Sequence, residues 1–399
     1  MPTNSQSTTA HRFTPFGTTI FAEMTALAHK HNAVNLSQGF PDFDGPEMGK
    51  AAAIQAIHDG HNQYAPMAGM PMLREAIASW ASRCTKIDVD PDTEITVTSG
   101  CTQAIASTML GLLNPGDEVI IFEPYYDSYR PCLAMADAKA VFVTLHPTET
   151  GFAYRSDELS KAFSDHTKAI VINTPHNPTG IVFTLSQLEE IAKLCVKHDT
   201  IAISDEVYER LIYPDSEQSH CSIATMPGMR DRTIVLSSSG KTFSLTGWKV
   251  GWAIAPPHLT SGIRSAHQFL TFSVPTPLQF GIAELLKNGD DDVEKLLSHY
   301  THTRSLLGEA LAELGFGIKL PAGSYFIMAD HTNVSDRLGL KNDVELCRWL
   351  PANAGVAAIP PSAFYANPTH VASFVRFAFC KETKTIDQAI ARLQNALKN

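Results

Sequence analysis

Short apolar runs alternate with helical patterns between about residue 95 and residue 256. Segments such as "TQAIASTMLGLLN" and "LSQLEEIAKLCVKH", which are apolar at helical spacing, separate the runs. Strands that are almost continuously apolar and alternate with helices are typical of a mostly parallel sheet covered on both faces. We therefore predict an α/β fold whose seven-stranded sheet uses the runs "EITVTSG", "DEVIIFEP", "KAVFVTL", "KAIVINTP", "TIAISDEVY", "RTIVLSSSG" and "KVGWAIAP".

The pattern changes after about residue 280. One long helical stretch, "FGIAELLKNGDDDVEKLLSHYTHTRSLLGEALAEL", is followed by the strand-like "SYFIMAD", a helix with "VELCRWL", and the strand-like "SFVRFAFC". Strands and helices that do not alternate regularly favour an α+β arrangement. This part of the chain is predicted to form a second, smaller domain.

Polar residues follow several of the predicted parallel strands. They are Ser99-Gly100, Glu123-Pro124-Tyr125, Asn173, Asp205 and Ser237 to Lys241. Ligands of open α/β sheets bind beyond the carboxyl ends of the strands. We therefore expect these residues to form one site.

Composition and charge narrow the class of protein. Hydrophobic residues make up 44% and charged residues 18% of the 399 positions, as in an ordinary globular enzyme. A net charge of −10 without long basic runs argues against nucleic-acid binding. The seven cysteines are scattered without a C-x-x-C pair, which favours a reducing compartment and no structural zinc. The polar start "MPTNSQSTTA" and the absence of a long apolar run predict a cytoplasmic protein that binds no membrane.

The stretch "SSSGKTFSLTGWKVGW" carries two lysines among small and aromatic residues. A nucleotide-binding loop would need a glycine where the chain has Val235, so that reading is rejected. Solvated surface lysines remain the plain alternative. The neighbouring Phe243, Trp248 and Trp252 favour a packed segment instead, because exposing them together to water is unfavourable.

The chemistry of the strand ends points to one kind of ligand. The backbone of Ser99 to Thr102, with Ser238 and Lys249, can bind an anion. Asp205 is predicted to be a buried carboxylate that needs a cationic partner, and a desolvated Lys241 is a nucleophilic amine. A phosphate, a ring cation and a carbonyl that reacts with an amine together describe pyridoxal 5′-phosphate.

At this point the chain resembles the class I aminotransferases of the fold type I pyridoxal-phosphate enzymes, and most of all their kynurenine, glutamine and methionine aminotransferase branch. The resemblance runs in order from Asn35 to Phe379. It implies a large cofactor-binding domain over residues 46–282, a smaller domain from residues 12–45 and 283–399, and a flexible segment 1–11. The matching segments are "NLSQGFPDF", "NQYAPMAGMPMLREAI", "TVTSGCTQAI", "DEVIIFEPYYDSY", "NTPHNPTG", "ISDEVYE", "SSSGKTFSLTGWKVGW", "HQFLTFSVPTP" and "FVRFAF".

The resemblance implies roles around the cofactor ring. Lys241 matches the lysine that binds the cofactor covalently and later moves the proton between the substrate Cα and the cofactor. Asp205 matches the carboxylate that pairs with the ring nitrogen. Tyr208 and Asn177 match hydrogen-bond donors to the ring hydroxyl oxygen, and Asn177 also belongs to the substrate site. Tyr125 matches the aromatic side chain stacked on the ring, although an ordinary core tyrosine is a serious alternative.

The resemblance also implies which residues bind the cofactor phosphate and the substrate. Gly100, Cys101, Thr102, Ser238 and Lys249 match the phosphate-binding set, and helix capping is the alternative for Thr102 and Ser238. Arg376 matches the arginine that binds the substrate α-carboxylate through two parallel hydrogen bonds. Gly39 matches a backbone contact to substrate, although a turn glycine would fit almost as well. Tyr64 matches a position that reaches the phosphate site of the partner subunit, and Phe272 one that faces the partner's substrate. The alternatives are that Tyr64 is an aromatic residue of a turn and Phe272 a core residue.

The expected function is ping-pong transfer of the amino group of an uncharged L-amino acid to a 2-oxo acid. Methionine, aromatic amino acids, glutamine and kynurenine are the candidate donors that the branch implies, and the assembly is expected to be a homodimer. A cysteine-conjugate β-lyase remains an alternative, because both reactions start from the same carbanion. A catalytically silent binding protein with the same fold is a second alternative, against which the intact Lys241, Asp205 and Arg376 argue.

Overall fold

The computed structural model describes residues 9–17, 19–367 and 373–398. Of the segment predicted to be flexible, residues 1–8 lie outside the described residues. The described strands are β1 (Val34–Asn35), β2 (Ile95–Ser99), β3 (Glu118–Glu123), β4 (Lys139–Thr144), β5 (His146–Thr148), β6 (Gly151–Ala153), β7 (Thr167–Asn173), β8 (Ile201–Asp205), β9 (Thr233–Ser238), β10 (Val250–Ile254), β11 (Gly317–Ile318), β12 (Phe326–Asp330), β13 (Val356–Ala357) and β14 (Phe374–Ala378).

The described α-helices follow the same order along the chain. They are α1 (Ile20–Lys30), α2 (Glu47–His58), α3 (Pro71–Thr85), α4 (Gly100–Leu112), α5 (Tyr129–Met135), α6 (Ser156–Ala162), α7 (Leu185–Lys197), α8 (Ser239–Thr242), α9 (Pro257–Leu270), α10 (Thr276–Asn288), α11 (Asp290–Glu313), α12 (Thr332–Leu338), α13 (Asp343–Asn353) and α14 (Thr383–Leu397). None of these helices is long and apolar enough to cross a membrane.

Seven strands of the described chain form the main sheet, in the order β2-β10-β9-β8-β7-β3-β4. Strand β10 runs antiparallel to both of its neighbours, and the other strand pairs are parallel. Each of the seven runs identified in the sequence provides one of these strands, so the predicted fold class is confirmed. Because β10 is reversed, its first residues lie at the edge where the parallel strands end.

Both faces of this sheet are buried, which explains why its strands are almost continuously apolar. Val119 and Ile121 of β3 belong to a core cluster with residues of α4, whereas Ile120 of the same strand packs in a cluster with residues of α7. Helix α7 begins at a capping box, in which the Thr184 side chain and Gln187 satisfy each other's backbone N–H groups. Because side chains alternate along β3, one face of the sheet packs against α4 and the other packs against α7.

A separate core forms around the three-stranded antiparallel sheet β11-β12-β14. It includes Met24 of α1 and Leu36 after β1, so the amino-terminal segment packs with the carboxyl-terminal part. The stretch predicted as one long helix is divided at Gly289 into α10 and α11. The domain bounds 46–282, 12–45 and 283–399 stay a prediction.

Candidate active site

A cavity of about 400 Å³ lies at the carboxyl edge of the main sheet. Its walls combine residues from strand ends, from the amino-terminal segment and from the three-stranded sheet. Of the residues predicted from the sequence, the following line it: Gly39, Gly100, Cys101, Thr102, Asn177, Asp205, Tyr208, Ser238, Lys241, Lys249 and Arg376. The fold thus brings together eleven positions that are spread from residue 39 to residue 376.

Asp205 ends β8 and is only 3% exposed. Tyr129 donates a hydrogen bond of 2.7 Å to its Oδ2, and the thiol of Cys101 lies 3.6 Å from its Oδ1. Burial raises the pKa of Asp205 to about 6, against the lowering effect of these hydrogen bonds. A carboxylate in this position favours a cationic group in the cavity.

Lys241 lies in the short helix α8, directly after β9. Its Nζ donates to the hydroxyl of Tyr325 at 2.7 Å and lies 3.4 Å from the carbonyl oxygen of Gly39. Burial lowers the pKa of Lys241 to about 8, while the nearby Asp205 raises it. The amine is still mostly protonated at pH 7, but its neutral form is far more accessible than that of a free lysine, as a nucleophile or a base requires.

The amino end of α4 and Lys249 form an anion-binding corner. Gly100 has φ +74° and Lys249 has φ +53°, so both residues adopt the left-handed conformation. A Cβ at Gly100 would lie 3.0 Å from Lys249 Nζ, which shows that the ammonium group closely approaches the start of the helix. The positive end of the α4 dipole and the ammonium group of Lys249 therefore lie close together. In the described part of the chain no carboxylate pairs with Lys249. Thr102 and Ser238 also face this space, so the corner suits a phosphate group.

Arg376 lies on β14 and is 1% exposed. Its Nη1 donates to Asn177 Oδ1 and its Nη2 to the carbonyl oxygen of Ser37, each at 3.0 Å. The guanidinium carbon lies 4.1 Å from the ring centroid of Phe326. Burial lowers the pKa of Arg376 to about 10, which still leaves the group charged at neutral pH.

The charge of Arg376 is not neutralised by an ion pair within the described residues, and its Nε has no hydrogen-bond partner there. A buried guanidinium without a carboxylate partner is unfavourable unless it binds an anion. Because the group faces the cavity, that anion is expected to be a ligand.

Tyr208 and Asn177 complete the wall beside these charges. The ring of Tyr208 packs at right angles to that of Tyr325, with centroids 5.2 Å apart. The backbone N–H of Asn177 donates to Asn173 Oδ1 at 2.7 Å, while its own side-chain oxygen accepts from Arg376. Both side chains are buried and held in place before any ligand binds.

The structure corrects the placement of Tyr125. Its ring packs against Phe142 in the core, with centroids 5.6 Å apart, and its hydroxyl accepts a hydrogen bond from Arg130. The next residue, Tyr126, lines the cavity instead. The two neighbouring side chains lie on different sides of the chain here, so an error of one position exchanges the core side chain for the cavity side chain.

Tyr64 and Phe272 lie outside the cavity of their own chain. Their rings pack edge to face with centroids 5.5 Å apart, and the side chains are 85% and 37% exposed. Within one chain they therefore do not contribute to the cavity.

Among the residues of the site that sequence reasoning missed are Tyr126, Asp127, Tyr129 and Tyr325. Three of them belong to the quoted segment "DEVIIFEPYYDSY", so the segment was found but the orientation of its side chains was not. Tyr325 lies 84 positions from the lysine that it contacts, and no local pattern reports that contact.

Comparison with known proteins gives consistent matches over most of the chain. A family model described as "Aminotransferase class I and II" matches residues 31–393. A probable N-succinyldiaminopimelate aminotransferase of Mycobacterium tuberculosis is 44% identical over 96% of this chain and 98% of the relative. A methionine aminotransferase of Escherichia coli is 40% identical over 98% of this chain and 99% of the relative. The solved structure of N-succinyldiaminopimelate aminotransferase from Mycobacterium tuberculosis superposes with a TM-score of 0.93, at 44% identity over 97% of this chain and 100% of that one.

Proposed function

Since the chain belongs to the class I and II aminotransferase family, we propose that it uses pyridoxal 5′-phosphate to move the amino group of an uncharged L-amino acid to a 2-oxo acid. The observation that carries the proposal is the meeting of Lys241, Asp205 and Arg376 in one cavity. Those three side chains offer an amine, a carboxylate for a ring cation and a guanidinium for an α-carboxylate. The reaction alternates between the two substrates because both use the same guanidinium.

The residues of the cavity fit this cofactor. The start of α4 and Lys249 form a corner that lacks a counter-ion within the described residues, which suits the phosphate. Asp205 suits the ring nitrogen and Lys241 the aldehyde carbon. When bound, pyridoxal 5′-phosphate supplies an aldehyde that exchanges its oxygen for an amino group, and a protonated ring that withdraws electrons from the substrate Cα. Tyr126, rather than Tyr125, lines the cavity and is proposed to stack on the ring.

Each charged side chain then has a distinct task. Arg376 binds the α-carboxylate through N–H groups of its guanidinium, among them the unpartnered Nε–H, and thereby orients Cα. Lys241 Nζ removes the proton from the donor Cα, and it returns a proton to Cα of the incoming oxo acid in the second half of the reaction. Asp205 would pair with the ring nitrogen of the bound cofactor and favour its protonated form. Tyr129 fixes the orientation of that carboxylate by donating to Oδ2.

The cavity favours a donor without a negative side chain. Its cationic residues among the described ones are Lys241, Lys249 and Arg376, and each already has a role. Asp127 also lines the cavity, where it adds negative charge rather than a further cation. Methionine, aromatic amino acids, glutamine and kynurenine therefore remain the proposed donors. The names of two relatives support methionine and kynurenine, whereas the 44% identical relative is named for N-succinyldiaminopimelate.

We also propose that the enzyme is a cytoplasmic homodimer whose active sites share residues. Tyr64 and Phe272 lie at the surface, close to the strongly exposed Phe269 and to Leu270, which are 89% and 46% exposed. A patch of aromatic side chains of this kind is typical of an interface between subunits. The seven cysteines are free, as expected for a reducing compartment.

An amino-donor panel tests the proposed reaction. Purified protein loaded with pyridoxal 5′-phosphate is mixed with each amino acid, the visible absorption of the bound cofactor is followed, and the 2-oxo acid product is identified by mass spectrometry. We expect methionine and aromatic donors to change the absorption and release their oxo acids, and aspartate to react poorly. Lys241→Ala serves as the control that binds donor and cofactor without turnover. Absence of an oxo-acid product from every donor would overturn the proposal.

A further inference from the structure

The hydroxyl of Tyr325 joins the lysine of the cavity to the amino-terminal segment. It donates to the carbonyl oxygen of Gly39 at 2.6 Å and lies 2.7 Å from Lys241 Nζ. Tyr325 immediately precedes β12 of the three-stranded sheet, whereas Lys241 follows β9 of the main sheet. Three distant parts of the chain therefore meet at a single oxygen atom.

The direction of these hydrogen bonds follows from the available protons. A carbonyl oxygen can only accept, and a tyrosine hydroxyl has one proton to donate. At 2.6 Å from Gly39 the hydroxyl proton must lie between the two oxygens, because two oxygens without a proton between them would repel each other. Lys241 must then donate to Tyr325. Lys241 Nζ also lies 3.4 Å from the carbonyl oxygen of Gly39, so a second N–H can approach that oxygen and the amine is held beside both acceptors.

This arrangement determines where the reactive electron pair points. When Nζ is neutral, its lone pair points away from the two oxygens that its N–H groups approach, and Lys241 itself lines the cavity. Burial lowers the pKa of Lys241 to about 8, so the neutral form is accessible near physiological pH. Without Tyr325 the flexible side chain could rotate the same lone pair away from the substrate.

The Tyr325 side chain, whose hydroxyl accepts from Lys241, is held rigidly. The Tyr325 ring packs against Tyr208, Tyr300 and Phe326, with centroid distances of 5.2, 5.9 and 4.7 Å. A Cβ at position 39 would lie 2.9 Å from the Tyr325 ring and 2.7 Å from that of Phe326, so only glycine lets this backbone approach the hydroxyl. The hydrogen bond between Tyr325 and Gly39 therefore depends both on the packed tyrosine ring and on a glycine at position 39.

We propose that Tyr325 is a positioning residue that aims the amine of Lys241 into the cavity for proton transfer. The inference rests on the proposed function, since it gives Lys241 the proton-transfer role. Tyr325 does not contact the reacting atoms itself. It ties the orientation of the lysine to the placement of the three-stranded sheet and of Gly39.

Tyr325→Phe removes only the oxygen and keeps the ring contacts. We expect the half-reaction with the best donor of the panel to slow by about 10- to 100-fold, because small errors of orientation have effects of that size. The KM for the donor should stay within about twofold, since Arg376 still binds the carboxylate. The primary isotope effect with donor deuterated at Cα should increase, because proton transfer then limits the rate more strongly.

A second measurement follows the lysine rather than turnover. Cofactor-free protein is mixed with pyridoxal 5′-phosphate, and the attachment is trapped with borohydride and located by peptide mapping. In this step Nζ bonds to the aldehyde carbon and the aldehyde oxygen leaves as water. Tyr325→Phe should slow the attachment about tenfold, whereas binding of pyridoxine 5′-phosphate, which has no aldehyde, should be unchanged.

Tyr365→Phe is the matched control, because the Tyr365 hydroxyl is buried and has no hydrogen-bond partner among the described residues. It should behave as wild type in both measurements. Wild-type rates and isotope effect in Tyr325→Phe would overturn the inference, whereas failure of wild-type protein to attach the cofactor at Lys241 would overturn the proposed function. If Tyr325→Phe lost its fold, Gly39→Ala displaces the carbonyl that Tyr325 contacts, and the rate of pyridoxal 5′-phosphate attachment at Lys241, which involves no amino donor, decides.

Discussion

Tyr129 donates a hydrogen bond of 2.7 Å from its hydroxyl to Oδ2 of Asp205. Both residues are buried, and the tyrosine begins α5 while the aspartate ends β8. This bond lowers the pKa of Asp205 against the effect of burial, which raises it. The tyrosine therefore helps to keep the carboxylate ionised for the ring cation that it is proposed to face.

The first prediction is that Tyr129→Phe shifts the acid limb of the rate profile to higher pH. Removal of a hydrogen bond that lowers the pKa raises the pKa of Asp205, so a larger fraction of the carboxyl group is protonated at any given acidic pH. The measurement is the half-reaction rate between pH 5 and 9. Tyr154→Phe is the control, because that hydroxyl bonds to Glu190 in another part of the core. An unchanged acid limb would contradict the role given to Tyr129.

The second prediction concerns Asp205 itself. Asp205→Ala should slow the half-reaction by about 100- to 1,000-fold, because a preorganised charge at the reacting centre has effects of this size. Cofactor binding through the phosphate corner should persist, as measured by equilibrium dialysis with pyridoxine 5′-phosphate. Asp157→Ala, whose carboxylate pairs with Lys161 at the surface, should be neutral. A half-reaction close to the wild-type rate would count decisively against Asp205.

Much of the fold follows from local sequence because the strands are buried on both faces. The apolar runs around Val119 and Ile203 cannot be solvated on either side, so their pattern indicates both the strands and the covering helices. The break at Gly289 was not predicted, because the apolar spacing continues across it and only the backbone turn divides α10 from α11.

The site was harder to predict in detail than the fold. Lys241 and Asp205 were found because each follows a predicted strand in a recognisable segment. The exchange of Tyr125 for Tyr126 was not predictable from periodicity, because the segment after β3 belongs to neither a strand nor a helix. The contact of Tyr325 with Lys241 depends on how two sheets pack, which a one-dimensional pattern does not contain.

The third prediction separates the shape of Arg376 from its charge. Arg376→Lys keeps a positive charge but loses the paired N–H groups that now contact Asn177 and Ser37. Binding of amino acids and oxo acids should weaken by roughly 2–4 kcal/mol. The measurements are the KM of the substrates and the Kd of an unreactive substrate analogue that carries a single carboxylate. Amines that lack a carboxylate provide the control and should react at unchanged rates. An equal loss for those amines would show that Arg376 has another role.

The fourth prediction is that the partly buried Lys241 destabilises the cofactor-free protein. The pKa of Lys241 is lowered from 10.5 to about 8, so between these values the unfolded chain binds more protons and stability rises with pH. Lys241→Met should therefore raise the free energy of unfolding at pH 7 by up to about 3 kcal/mol, at about 1.4 kcal/mol per pKa unit. Urea unfolding at pH 7 and pH 10 measures this difference, which should shrink at the higher pH.

Lys168→Met is the matched control for that experiment, because Lys168 is exposed and the substitution removes the same charge without changing the core. It should alter the free energy of unfolding by less than about 0.5 kcal/mol at both pH values. A destabilised Lys241→Met at pH 7 would show that the contact with Tyr325 outweighs the unfavourable burial of the ammonium group.

The last prediction is that each active site needs residues of both subunits. Tyr64 and Phe272 pack on each other at the surface and lie outside the cavity of their own chain. One chain carries Tyr64→Ala and Phe272→Ala but keeps Lys241, and the other carries only Lys241→Ala. Either homodimer should be inactive, because the first lacks the shared aromatic residues and the second lacks the lysine.

In the mixed dimer, the intact lysine lies on the doubly substituted chain and receives normal Tyr64 and Phe272 from its partner. If the two chains exchange at random, half of the dimers are mixed and each has one competent site, so about one quarter of wild-type activity should return. A control mixture places all three substitutions on one chain and combines it with Lys241→Ala, which leaves no lysine and should stay inactive. Light scattering and mass spectrometry of tagged chains establish that subunits have exchanged. No recovery after proven exchange would mean that both residues act within their own subunit or only at its surface, and the shared site would be abandoned.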